Sequence, residues 1–289
     1  MLSIIDFFSE FAFRRIVVGT SLIGATAGAM GTFLYLRRQS MMSDVIGHAA
    51  TPGVMAAFLL VSTLLPGADA RSMPFLTIGA VITGLIAALL ANAIARTTRI
   101  GIDATMAAML SFFLGGGFVL LNVIQNSHIS GKGSVAELMF GNAASLTNLD
   151  VTTIAIAAAI VFVIVVVFWR PFVTMTFDPV LGHITGLKMR VYDPLLFGTI
   201  VLSIILGIKA VGLILMVAFA IFPPAAARQW TRTVGSMTVV SAAIGAVSGV
   251  LGSYLSVAAG KVPTGPVIVL VLGAFVLVAS VFSHRRQGV

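Results

Sequence analysis

Apolar residues along this chain fall into long, nearly unbroken runs, separated by short stretches where Arg, Lys, Asp, Ser and Gly collect. The runs cover about 16–36, 43–65, 75–95, 104–123, 151–169, 193–208, 210–227, 235–258 and 266–283. Most approach the ~20 residues that a helix needs to cross ~30 Å of hydrocarbon. The pattern predicts an all-α polytopic membrane protein, a bundle of eight or nine transmembrane helices. The pair flanking Lys209 leaves the count open. Both halves are short, and IKAVG is either a tight turn or the middle of one bent segment.

Two stretches do not span. Residues 124–149 are polar and rich in Gly, Ser and Asn, which predicts an external loop with a short interfacial helix. Residues 171–192 are too polar to cross and predict a cytoplasmic segment. Inside it, Asp178 can cap a helix that Pro179 begins, and Gly186 can close it about two turns later. The start, MLSIIDFFSEFAFRR, lacks the basic flank and small-residue cleavage site of a signal peptide. It predicts an amphipathic segment over 1–15 that stays on a single membrane domain, 1–289.

Composition sharpens this. The chain is 59% hydrophobic with a mean hydropathy of +1.12. Only 26 of its 289 residues are charged (17 Lys+Arg, 9 Asp+Glu), where a soluble chain of this size carries about 70. The net charge of +8 does not indicate nucleic acid, because the basic residues sit in ones and twos at the ends of apolar runs. Arg37, Arg38, Arg96, Arg99, Arg170, Lys188, Arg190, Arg228, Arg232, Arg285 and Arg286 share one side if there are nine crossings. Arg14, Arg15, Arg71, Lys132 and Lys261 remain opposite. The positive-inside rule then puts the N-terminus outside and the C-terminus in the cytoplasm. With no cysteine, disulfides, thiolate metal sites and thiol nucleophiles are excluded.

Ionisable groups inside the runs are few, and each is a functional candidate because burying it in lipid is costly. In MMSDVIGHAATPG, Asp44 and His48 are four apart and share one helical face. A carboxylate oxygen beside an imidazole nitrogen is half a site for a divalent first-row metal. Pro52 takes away the hydrogen-bond partner of the His48 carbonyl, as in a cavity wall, and Gly53 permits further bending. The same pair is equally explained by Asp44 simply satisfying His48. His128, His183 and His284 read as solvated or surface residues, and the thirteen methionines as packing. Pro223-Pro224 frees the carbonyls of Phe219 and Ala220. It either ends a helix ahead of Arg228, the favoured expectation, or bends one that moves during gating. Gly24-xxx-Gly28 and Gly245-xxx-Gly249 allow close helix approach, with a neighbour in this chain or another. No G-x-x-x-x-G-K-[ST] phosphate loop is present, so the chain is not itself an ATPase of that kind.

These motifs resemble those of the ABC-type divalent-metal permeases, the membrane subunits of bacterial zinc, manganese and iron uptake systems. LYLRRQSMMSDVIGHAATPGV is similar to the family signature, with Asp44, His48, Ala49, Pro52 and Gly53 matching position by position. TRIGIDATMAAMLSFFLGGGFVLLNVIQ, VAELMFGNAASL, the stretch from FDPVLGHITG to FPPAAAR, and PTGPVIVLVLGAFVLVAS follow in order. Gly47 stands where Ser is usual, Thr51 where Leu is usual, and Pro223-Pro224 where one proline is usual.

The resemblance implies two permease subunits, alike or paralogous, with two cytoplasmic ATPase subunits and an extracytoplasmic metal-binding protein, in the bacterial inner membrane. It implies that Asp44 and His48 line the path, with Pro52, Gly53 and Pro223 as helix breaks near it. It also implies that the segment at about 177–187, with Asp178, Pro179, Gly182, His183 and Gly186, couples to the ATPase. No cofactor is permanently bound, ATP belongs to the partner, and the cargo is a metal ion. The loop around LLNVIQNSHISGKGS is more similar to manganese/iron-type members, which favours manganese with zinc second. An ATP-independent cation channel or a membrane scaffold is the distant alternative.

Overall fold

The computed structural model describes residues 11–64, 70, 72–127, 146–259 and 262–283. Among them are eleven helices and no strand. They are α1 (Phe11–Leu36), α2 (Met42–Leu64), α3 (Met73–Thr97), α4 (Ile102–Asn126), α5 (Asn148–Val167), α6 (Trp169–Phe177), α7 (Pro179–Ile184), α8 (Met189–Val211), α9 (Leu213–Trp230), α10 (Val234–Ala259) and α11 (Thr264–Val281). Eight are long and apolar enough to cross a membrane. The ninth long helix is α9, whose 18 residues extend about 27 Å. Large apolar side chains such as Phe112 and Leu270 remain over two-thirds exposed, the surface a multi-pass membrane protein turns to lipid.

Lys209 lies inside α8, and the break between the two short runs falls three residues later. α8 ends and α9 begins at Gly212, which has φ +83°, a conformation that suits glycine. The chain bends sharply there, which brings Met216 of α9 against Gly207 of α8. Other boundaries shift from expectation. α1 starts at Phe11, so residues 11–15 continue the first long helix, and the rest of the proposed amphipathic segment lies outside the described residues. So do 128–145, which hold most of the expected external loop with His128 and Lys132, and also Arg71, Lys261, His284, Arg285 and Arg286. The segment 171–192 is not uniformly superficial. Its first part belongs to α6, which buries Phe172 and Met175 in the bundle, and α8 already starts at Met189.

The glycine patterns find their partners within the chain. A side-chain carbon on Gly24 would collide with the Gly245 backbone, one on Gly28 with Ser241, and one on Gly249 with Thr20. α1 and α10 therefore touch backbone to backbone, as small-xxx-small faces allow. Polar groups in this seam satisfy one another: Thr20 Oγ1 meets the Gly249 carbonyl at 3.2 Å and Ser253 Oγ at 3.0 Å, and Thr32 donates to Ser241 at 3.2 Å.

Pro223 and Pro224 do not end a helix. α9 runs through both to Trp230. The tertiary packing explains why this is tolerated: Gly31 of α1 presses against the Ala220 carbonyl, and Gly28 lies close to Pro223. The stretch of α9 that has lost helical hydrogen bonds is thus sealed by the small-residue face of α1, a setting in which helix-breaking residues are accepted within membranes.

Candidate functional site

α1 closes with a reversal in which Arg38 takes φ +56° and the Gln39 amide donates to the Leu34 carbonyl at 2.9 Å, the pattern of a left-handed helix cap. Three residues later α2 begins, so Asp44 falls in its first turn, where the helix dipole favours a carboxylate. One turn on, His48 Nε2 lies 3.4 Å from Asp44 Oδ1. The His48 side chain is 24% exposed and that of Asp44 36%, although the residues around them on α2 are mostly buried. His48 Nδ1 is buried and has no partner among the described residues. The contact is long for a hydrogen bond and leaves one ring nitrogen unsatisfied, so mutual satisfaction accounts for only part of the pair's chemistry.

No group of three or more His, Cys, Asp or Glu able to hold a metal occurs among the described residues. Asp44 and His48 therefore offer two donors, one oxygen and one nitrogen, on a single face.

Pro52 is buried one turn further along, inside α2, and Gly117 of α4 fits against it and Thr51. Gly53 also serves close packing. It faces Gly79 and Thr83 of α3, where any side chain would collide, so it sets how closely α2 and α3 approach. Pro223 makes its contact with Gly28 of α1.

The short segment is built as its residues suggest. Asp178 caps α7 by accepting from the Leu181 amide at 2.9 Å, with Pro179 at the start of the helix. Gly186 sits at φ +76°, and the Leu187 amide closes back on the Gly182 carbonyl at 2.9 Å. Val180 and Ile184 are 68% and 78% exposed, with Phe177 and Leu181 nearby also open. His183 is exposed as well. Gly182 is buried, with a notional side-chain carbon 3.4 Å from Met189, so it packs on its own chain while the apolar residues beside it face outward.

One cluster escaped the sequence reading. Asp193, in the first turns of α8, is 8% exposed. Its Oδ1 accepts from Arg37 at 2.7 Å and its Oδ2 from Arg96 at 2.8 Å. Arg37 also lies over the Phe197 ring and reaches Thr176 of α6 at 3.5 Å. In the sequence, Arg37 and Arg96 look like ordinary basic helix ends. The available signal was an acid, Asp193, opening an apolar run among basic flanks. The cluster brings the ends of α1 and α3 and the start of α8 to one end of the bundle, in agreement with shared sidedness of those basic residues.

A model of the ABC 3 transport family matches residues 9–283. The chain is 35% identical over 286 residues to the zinc transport system membrane protein TroC of Treponema pallidum (strain Nichols), covering 99% of this chain and 94% of that one. It is 33% identical over 271 residues to the manganese transport system membrane protein MntC of Bacillus subtilis (strain 168), covering 94% of this chain and 61% of that one. Among solved structures, PsaBC from Streptococcus pneumoniae in complex with Fab superposes with a TM-score of 0.82 at 27% identity, covering 98% of this chain and 96% of that one.

Proposed function

This chain belongs to the ABC 3 transport family, and we propose that it is the permease subunit of an importer moving a divalent transition metal, manganese by preference, across the bacterial inner membrane. The observation that carries the site is the Asp44–His48 pair: two donors on an open helical face, with His48 Nδ1 unsatisfied. A first-row divalent ion takes four ligands or more. Two copies of this permease, or this chain and a paralogue, facing one another supply two carboxylates and two imidazoles. A thiolate-free site of this kind holds the ion only moderately, which suits a carrier that must release it every cycle.

The ion is cargo, and no resident cofactor is required. ATP hydrolysis belongs to two cytoplasmic subunits docked on the segment 171–192, where the exposed side chains of α7 form the contact. An extracytoplasmic binding protein delivers the metal. Zinc is the second reading, favoured by the likeness to a zinc system membrane protein.

The test is uptake of manganese(II) and zinc(II) by cells carrying Asp44→Asn or His48→Ala, with the amount of permease in the membrane measured in parallel. Loss of uptake at normal abundance is expected for both. Full transport by either variant removes that residue from the path. Metal content of cells lacking the gene, grown with each metal limiting in turn, decides between manganese and zinc.

A further inference from the structure

Both helices that fix the Asp44–His48 pair in place end on one buried carboxylate. α1 leads directly into α2 through the reversal over residues 37–41, and the first residue past its end, Arg37, binds Asp193 Oδ1 at 2.7 Å. α3, locked to α2 by the Gly53–Gly79 approach, carries Arg96 in its last turn, and Arg96 binds Asp193 Oδ2 at 2.8 Å. The third connection runs to the docking segment. Arg37 Nε points to Thr176 Oγ1 at 3.5 Å, and Thr176 lies two residues ahead of Asp178, the cap of α7.

We propose that Asp193 is a positioning residue that transmits movement of the α6–α7 segment to the metal pair by holding Arg37 and Arg96 together. The proposal rests on the reading of α7 as the ATPase contact.

The chemistry favours transmission over simple support. Each carboxylate oxygen has its own guanidinium, so a shift of either arginine is felt by the other through a rigid planar group. The clamp holds two positive charges on one negative, and the Arg37 side chain is only 10% exposed. A buried cation cannot part from its counter-charge without a large penalty. Arg37 therefore follows Asp193, and the α1–α2 turn follows Arg37. Arg96, 63% exposed, can be removed while the buried Arg37–Asp193 pair remains neutral and intact.

The experiment uses the full complex in liposomes, with ATPase subunits and loaded binding protein, measuring manganese(II) uptake and ATP hydrolysis in the same vesicles. The readout is metal carried per ATP hydrolysed. A purely structural lesion lowers both rates together with the amount of complex and leaves this ratio alone. For Asp193→Asn the ratio is expected to fall about tenfold with hydrolysis retained, a factor usual for coupling between distant sites. For Arg96→Gln it is expected to fall about threefold. Should Asp193→Asn fail to assemble, Arg96→Gln decides alone. An unchanged ratio in assembled Arg96→Gln, or in assembled Asp193→Asn, overturns the proposal. A wild-type complex showing no ATP-driven metal uptake instead overturns the functional reading on which it rests.

Discussion

Gly24→Ala adds one methyl group to the α1–α10 seam, and the structure sets the size of the effect. The new carbon would lie 2.6 Å from the Gly245 carbonyl carbon and 2.8 Å from Phe219 Cε1. Carbon atoms in contact prefer about 3.5–4.0 Å, so the helices must part by roughly 1 Å. Over-packing costs about 1–3 kcal/mol. The upper end applies here because the obstacle is backbone, which has no rotamer to turn away. Alanine returns about 1 kcal/mol through helix propensity, leaving a net loss of about 2 kcal/mol. Gly115→Ala on α4 is the control, since no atom lies within 4 Å of its added carbon, and it should gain up to about 1 kcal/mol. Thermal unfolding of the detergent-solubilised chain, followed by circular dichroism, measures both. Tm should fall by several degrees for Gly24→Ala, at about 2–4 °C per kcal/mol, and hold or rise for Gly115→Ala. Adding Gly245→Ala to Gly24→Ala should cost less than the sum of the singles, because the helices need to separate only once. Equal Tm shifts at Gly24 and Gly115, or a strictly additive double variant, would refute the backbone-contact argument.

Ile184→Glu places a charge on the most exposed apolar residue of α7. ATPase subunits should no longer copurify, while the unfolding free energy of the isolated permease stays within about 0.5 kcal/mol of wild type, as for surface changes. Gly182→Ala, pointing into the chain at ordinary contact distance, should leave ATPase binding intact, so pull-down of the pair of variants separates the outward from the inward face. Gly186→Val forces a β-branched residue into φ +76° at a cost of about 1–2 kcal/mol. Asp178→Ala removes the α7 cap, worth about 1 kcal/mol. Both should speed amide hydrogen exchange in α7, with α10 unaffected.

What the sequence determines by itself is whatever depends on near neighbours along the chain. Nine apolar runs imply nine long helices because each must satisfy its own backbone in lipid, and basic flanks order their direction. The Asp44–His48 spacing is legible because four residues make one helical turn, and Asp178, Pro179 and Gly186 announce α7 through cap chemistry that is local to a few residues. The same locality explains the misjudgements. A double proline looks like a helix end until Gly28 and Gly31 of α1 are seen to cover the interrupted backbone, and the close packing of Gly53 is invisible until Gly79 lies against it. Gly182 looks like an open contact point until Met189 folds over it. The Arg37–Asp193–Arg96 clamp joins residues 59 to 156 positions apart, so no window along the chain contains it. Only packing decides which distant backbones touch and which charges share a buried partner, because those energies arise between helices that the sequence lists far apart.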